Sequence, residues 1–174
     1  MLRRLHDATA AFTPPADGLW QPWLFHLEAP SAVIGHCDTG PWHIVARDAQ
    51  PVAFIDWSLA GPMDRLDEVA ATAWWNAQLH DDDVAARHGL PDAATRATQV
   101  CHFLDGYGLV GADRAGIVTR MIEFAIRDCA WEAIRADVRP DSTDPTPLWA
   151  LAWRARAAAW MLRNRPTLER AVTK

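Results

Sequence analysis

A mostly helical α+β domain with a small β-hairpin is the fold class this sequence predicts. Three observations carry it. Short β-branched or apolar runs cluster between Ser31 and Asp56, apolar residues recur at helical spacing after Pro62, and Gly- or Pro-rich breaks separate the segments. A chain of 174 residues fits one domain, 1–174, since a chain of that size buries roughly 70% of its unfolded surface.

In chain order, Leu2 to Ala10 reads as the end of a helix, stopped by the loop "TPPADG" at Thr13 to Gly18. "SAVIGH" (Ser31 to His36), "HIVAR" (His43 to Arg47) and "PVAFID" (Pro51 to Asp56) read as strands, and "RDAQP" joins the last two as a hairpin turn. After "AGP" at Ala60 to Pro62, the residues Leu66, Val69, Ala70, Ala73, Trp74 and Ala77 follow the i, i+3, i+4, i+7 rule of a buried helical stripe. A second helix is expected over Ala93 to Leu104, ending before "DGYG". A third is expected over Asp113 to Ala136, with Val118, Met121, Ile122, Ala125 and Cys129 on one face. "RPDSTDPTP" (Arg139 to Pro147) breaks it, and a last helix takes Leu148 to Leu162, with Trp149, Trp153 and Trp160 on one side. At that spacing packing is the plainer reading of the three indoles, a ligand wall the sharper one.

Composition removes several function classes. Half the residues are apolar and 22% are charged, an ordinary globular balance. A net charge of −5 without a basic cluster argues against nucleic-acid binding. No run approaches the roughly 20 apolar residues of a membrane span, and the N-terminus does not read as a signal peptide. Cys37, Cys101 and Cys129 are odd in number and widely spread, which fits reduced thiols in a cytoplasmic protein rather than a disulfide framework. Lys174 is the sole lysine. The acidic run Asp81, Asp82 and Asp83 reads as a solvated loop, with attraction for a cationic aminosugar as the functional alternative.

Ionisable chemistry concentrates in "GHCDTGPWHIVARDAQPVAFIDWSLAGPMDRLDEVA", Gly35 to Ala70. Phosphoryl transfer needs a carboxylate to orient the attacking hydroxyl and further ligands to hold magnesium against nucleotide phosphates. Here Asp38 follows His36 by two, His43 lies five beyond Asp38, and Asp56 ends a strand after a hairpin. "HCDTGPWH" and "FIDW" in that order resemble the aminoglycoside phosphotransferase family, whose pattern runs H-G-D-x-x-x-x-N, hairpin, then I-D-W or I-D-F. The helix "MLRRLHDATAAF" and an Asp in the helix after "GP", here Asp67, extend the resemblance over nearly the whole chain.

The resemblance implies a protein-kinase-like C-terminal lobe with the N-terminal β lobe absent. It implies Mg2+ and ATP (or GTP) as cofactors and a small hydroxylated acceptor as substrate. Carried over by position, Asp38 is the catalytic base, His36 its loop support, Asp56 the main magnesium ligand and Asp67 a structural support. His43 stands where the family has its metal-binding Asn, and Cys37 where it usually has Gly. A phosphate-pairing lysine has no candidate upstream of Lys174, so a partner lobe or self-association is expected to complete the site. Two other readings keep the same residues: a non-catalytic remnant acting as a small-molecule binding or interaction module, and a metal-dependent hydrolase built on His36, Asp38, His43 and Asp56 with the pair His6–Asp7.

Overall fold

The computed structural model describes residues 1–13, 15, 19–27, 29 and 31–173, so most of the "TPPADG" loop and Lys174 lie outside the described residues. The fold is α+β and about 57% helical, with two small sheets among the described residues. The chain forms two compact units, Met1–Asn76 and Ala77–Lys174.

The first unit holds α1 (Leu2–Thr9), β1 (Val33–Gly35), a 3-10 turn (Pro41–His43), β2 (Ile44–Arg47), β3 (Gln50–Phe54), β4 (Gly61–Met63) and α2 (Arg65–Asn76). The hairpin expected from "RDAQP" is β2–β3, paired from Ile44↔Phe54 to Arg47↔Gln50 with a register shift between Val45 and Ala46. Asp48 and Ala49 at its tip have φ of 51° and 58°. Positive φ at both central residues is what a two-residue turn needs to match the right-handed strand twist. The segment "GPM", with no alternation to reveal it, pairs as β4 antiparallel to β1, Ile34 facing Pro62.

Helix α2 departs from the expected stripe. From Glu68 to Trp75 every residue is buried, so the helix is enclosed on all sides instead of showing one face to solvent. Alanines at 70, 71 and 73 permit this, because small side chains let neighbouring elements approach from several directions. Asp64 caps it, its Oδ1 accepting from the amides of Leu66 (2.8 Å) and Asp67 (3.1 Å).

The second unit is helical: α3 (Asp82–Arg87), α4 (Ala93–Tyr107), α5 (Gly111–Arg135), α6 (Pro145–Arg163) and α7 (Arg165–Val172). Helix α5 packs along α6, and α4 along α7, around Val100, Leu104, Met121, Phe124, Trp160, Met161 and Leu168. The face expected on α5 is buried at Val118, Met121, Ile122 and Ala125, with Cys129 half-buried.

Two boundaries moved for local reasons. Helix α4 runs through Gly106 to bury Tyr107 and stops at Gly108, whose φ of 81° closes the end. An interior glycine costs only about 1 kcal/mol, less than a buried aromatic ring returns. Helix α6 starts three residues before Leu148 because Asp144 caps it, accepting from the Thr146 amide at 2.9 Å, with Pro145 in the first turn where its missing N–H costs nothing. The longer helix leaves Trp149 near one end, 49% exposed, while Trp160 is fully buried.

The acidic run is neither a solvated loop nor free charge. Asp81 caps α3 and pairs with Arg156 (3.1 Å) and Arg163 (2.6 Å); Asp83 also pairs with Arg156. Asp82 accepts from the indole Nε1 of Trp160 at 2.7 Å. Arg96, buried beneath, lies 4.1 Å from the Trp160 ring centroid and donates to the carbonyls of Gln78 and His80. Three carboxylates thus fasten a six-residue helix that isolated propensity would not support. Among the described residues no helix is long and apolar enough to cross a membrane.

Trp160→Ala should destabilise this unit by about 3–5 kcal/mol in chemical denaturation, since it empties the core and frees Asp82. Trp160→Phe, which keeps the ring but loses the donor, should cost only about 0.5–1.5 kcal/mol. A pH effect follows from the same network. Hydrogen bonds from the Arg156 guanidinium hold the Asp83 carboxyl below its ordinary 3.8. For Asp81, partial burial pushes the carboxyl up, but the Asp82 amide and two guanidiniums outweigh it. Well above pH 3.8 both carboxyls are ionised whether folded or unfolded, and their stabilisation is complete. As pH drops below that value the unfolded chain takes up protons first, so the melting temperature should decline and the Asp81→Asn/Asp83→Asn variant should decline less steeply.

Candidate functional site

Three side chains of α2 carry the loop on which the site stands. Glu68, Thr72 and Asn76 are spaced by four and share one helix face, a polar line in an otherwise apolar element. Glu68 Oε1 accepts from the Cys37 amide at 2.7 Å, Thr72 shares a hydroxyl hydrogen bond with Thr39, and Asn76 Nδ2 donates to the Thr39 carbonyl at 2.9 Å. The other oxygen of Glu68 meets His6 Nε2 on α1 at 2.6 Å, with both side chains almost wholly buried. Gly35 makes room for this carboxylate, because a Cβ there would overlap Glu68 Oε2 and Met63 Sδ.

The loop itself is tight. Cys37 has φ 69°, a left-handed conformation that costs a residue with a Cβ roughly 1–2 kcal/mol. Its thiol is buried against the Gly61 carbonyl and Met63 Sδ, and burial, aided by the Glu68 charge, pushes its pKa up. All three cysteines are free.

His36, also fully buried, ties the loop to the segment after β3. Its Nε2 donates to the Ile55 carbonyl at 2.9 Å, while Nδ1 accepts from the Asp38 amide at 3.3 Å. A carbonyl can only accept and an amide only donate, so these partners fix the tautomer. The ring packs 4.6 Å from Trp57 and 5.2 Å from Phe54 between centroids.

Asp38, His43 and Asp56 come together above this base. His43 Nδ1 lies 3.1 Å from the Asp38 carbonyl oxygen and 3.3 Å from Asp38 Oδ2, and Nε2 lies 3.4 Å from Asp56 Oδ2. One imidazole therefore stands between two carboxylates, and its cationic form donates from both nitrogens. Asp38 Oδ1 also accepts from the Trp42 indole at 3.1 Å. Asp56, at φ 60° in a turn of its own, accepts from the Ser58 amide at 3.3 Å. Hydrogen bonds from Ser58, with His43 and His36 nearby, hold its carboxyl below the ordinary value. The mouth is open: Asp56, Trp42 and Trp57 are all exposed.

Magnesium does not fit this arrangement. It demands hard oxygen ligands at about 2.0–2.1 Å, and here an imidazole ring fills the space between the two carboxylate oxygens. Among the described residues no group of three or more His, Cys, Asp or Glu is arranged to hold a metal ion. The hydrolase set is also divided. His6 is buried on Glu68, whereas the neighbouring Asp7 is exposed and pairs with Arg3 and Arg65.

Asp67 lies in the first turn of α2, half-buried, with its amide on Asp64 Oδ1. Glu68, one residue on, sets a carboxylate on the loop, and sequence reasoning passed over it. The signal was present as Glu68, Thr72 and Asn76 at i, i+4, i+8.

Glu68→Ala should destabilise the first unit by about 3–5 kcal/mol, since it takes this carboxylate from both His6 Nε2 and the Cys37 amide. Glu68→Gln, which keeps the shape and an acceptor oxygen, should cost less. Denaturation midpoints, with the native-state reaction of Cys37 toward a maleimide as a local probe, check both. Cys37 should be protected in the unmodified protein and should become reactive in Glu68→Ala.

No protein-family profile matches the chain, and no solved structure matches it. A curated relative does: over 173 residues the chain is 53% identical to the trifolitoxin immunity protein of Rhizobium leguminosarum bv. trifolii. That relative is named for immunity to a toxin and not as an aminoglycoside phosphotransferase, and it overturns the resemblance drawn from the Gly35–Ala70 motifs. Kinase, transferase and phosphotransferase readings fall with it, as does a function of phosphate transfer to a small hydroxylated compound; ATP or GTP rested on the same resemblance. The match covers 99% of this chain and 66% of the relative, so the chain is homologous to the trifolitoxin immunity protein and spans just under two thirds of its length.

Proposed function

We propose that this chain confers protection against trifolitoxin or a toxin closely related to it. The observation that carries the reading is the 53% identity to the trifolitoxin immunity protein across 99% of the chain. At that level of identity the fold is shared, so a shared protective role is the economical reading.

The Asp38–His43–Asp56 site is the part of the first unit we assign to toxin contact. Support is physical: two indoles are about half exposed, Trp42 on the Asp38 carboxylate and Trp57 next in the chain to the exposed Asp56. Aromatic anchors beside a charged group are the composition of binding hot spots. Acidic groups beside exposed indoles suit a cationic group on the toxin, through charge pairing and cation–π attraction together.

The test is survival. The chain expressed in a trifolitoxin-sensitive bacterium should raise the inhibitory toxin concentration, on the order of tenfold or more. The double variant Trp57→Ala/Asp56→Asn should lose most of that protection at equal protein abundance, the scale expected from losing two anchors of about 1–2 kcal/mol each. If the full-length relative protects the same host and this chain does not, the reading fails.

A further inference from the structure

We propose that the cleft between α3 and α6 binds a small planar molecule carrying one carboxylate. The cleft has a volume of about 420 Å³ and is lined by Asp83, Val84, Arg87, His88, Trp149 and Arg156. That size lies within the range of about 300–1,000 Å³ typical of small-molecule sites. One wall is α3, where Asp83 and Arg87 are one turn apart; the other is α6, where Trp149 and Arg156 are two turns apart.

The charges of the lining decide the ligand class. Asp83 is already bound to Arg156, so the acidic member of the cleft is neutralised from within. Arg156 in turn sits 5.8 Å from the Trp149 ring centroid, which holds the guanidinium and the indole together. Arg87 is exposed and pairs with no carboxylate among the described residues. One uncompensated guanidinium therefore faces the cleft rim opposite an indole that is 49% exposed. A guanidinium takes a carboxylate through parallel hydrogen bonds, and an exposed indole offers a flat apolar face for stacking. A cation is disfavoured, because the one guanidinium of the lining without a carboxylate partner among the described residues is Arg87.

This site is in the second unit and is independent of the immunity reading. Indole-3-acetate is the probe, with the neutral indole-3-acetamide as its control, each followed by saturation-transfer NMR and calorimetry on the full chain. Indole-3-acetate should bind with a Kd on the order of 1 mM, as befits a ligand of that size. The amide should bind about tenfold or more weakly, and Arg87→Gln should weaken the acetate by a similar factor. Trp149→Ala should abolish saturation transfer. Equal binding of acetate and amide, no effect of Arg87→Gln, or no binding at roughly 10 mM probe would each overturn the assignment. Arg87 is exposed on the rim, so its variant keeps the fold and tests the assignment however Trp149→Ala behaves.

Discussion

A carboxylate in a dry interior persists only where donors meet its oxygens, and Glu68 is where the first unit satisfies that constraint. One oxygen takes the Cys37 amide and the other meets His6, so three separate parts of the chain converge on a single group. Gly35 is required because any side chain would displace the carboxylate, and Cys37 holds a left-handed backbone that turns its amide toward Glu68. Thr72 and Asn76 continue the line along the helix and secure Thr39. The positions of Asp38 and His36 follow from that anchoring, since both belong to the loop fastened at 37 and 39.

The second unit answers a similar constraint with charge pairs at its surface. Exposed ion pairs are individually weak, contributing about 0–1 kcal/mol. Asp81, Asp82 and Asp83 gain from being on one short helix whose partners, Arg156, Trp160 and Arg163, share one α-helix. Fixing one pair positions the others, so the entropy of ordering is spread over several contacts. Arg96 beneath Trp160 completes the arrangement with two carbonyls, an aromatic face and Asp82 Oδ1 at 3.9 Å, which is how a guanidinium can sit almost fully buried.

What could be seen in the sequence divides along the range of the forces involved. The β2–β3 hairpin and the helices α4, α5 and α6 rest on local pattern, and they stand close to where periodicity and turn residues place them. Strand β4 is three residues, Gly-Pro-Met, whose partner β1 lies far back in the chain; nothing within it marks a strand. Helix α3 is held by Arg156, 75 residues from Asp81, a contact no local window contains. The stripe on α2 was legible and its enclosure was not, because burial on the opposite face depends on what else packs there. In the site, spacing brought Asp38, His43 and Asp56 into one place, while Glu68 was hidden by the ordinary look of a glutamate in a helix.

His43 shows why residues that spacing brings together do not by that alone specify a chemistry. A short loop, a hairpin and a terminal Asp determine where two carboxylates meet, because the backbone path alone does that. What they hold depends on the side chain between them. An oxygen ligand at position 43 would leave room for a hard cation, with the carboxylates turned toward it. An imidazole fills that room and offers a nitrogen to each carboxylate. The mouth of the site stays acidic and aromatic, with Asp56, Trp42 and Trp57 exposed. On the reading proposed above, that exposed mouth is the surface offered to the toxin, and the same three residues serve contact instead of phosphoryl transfer.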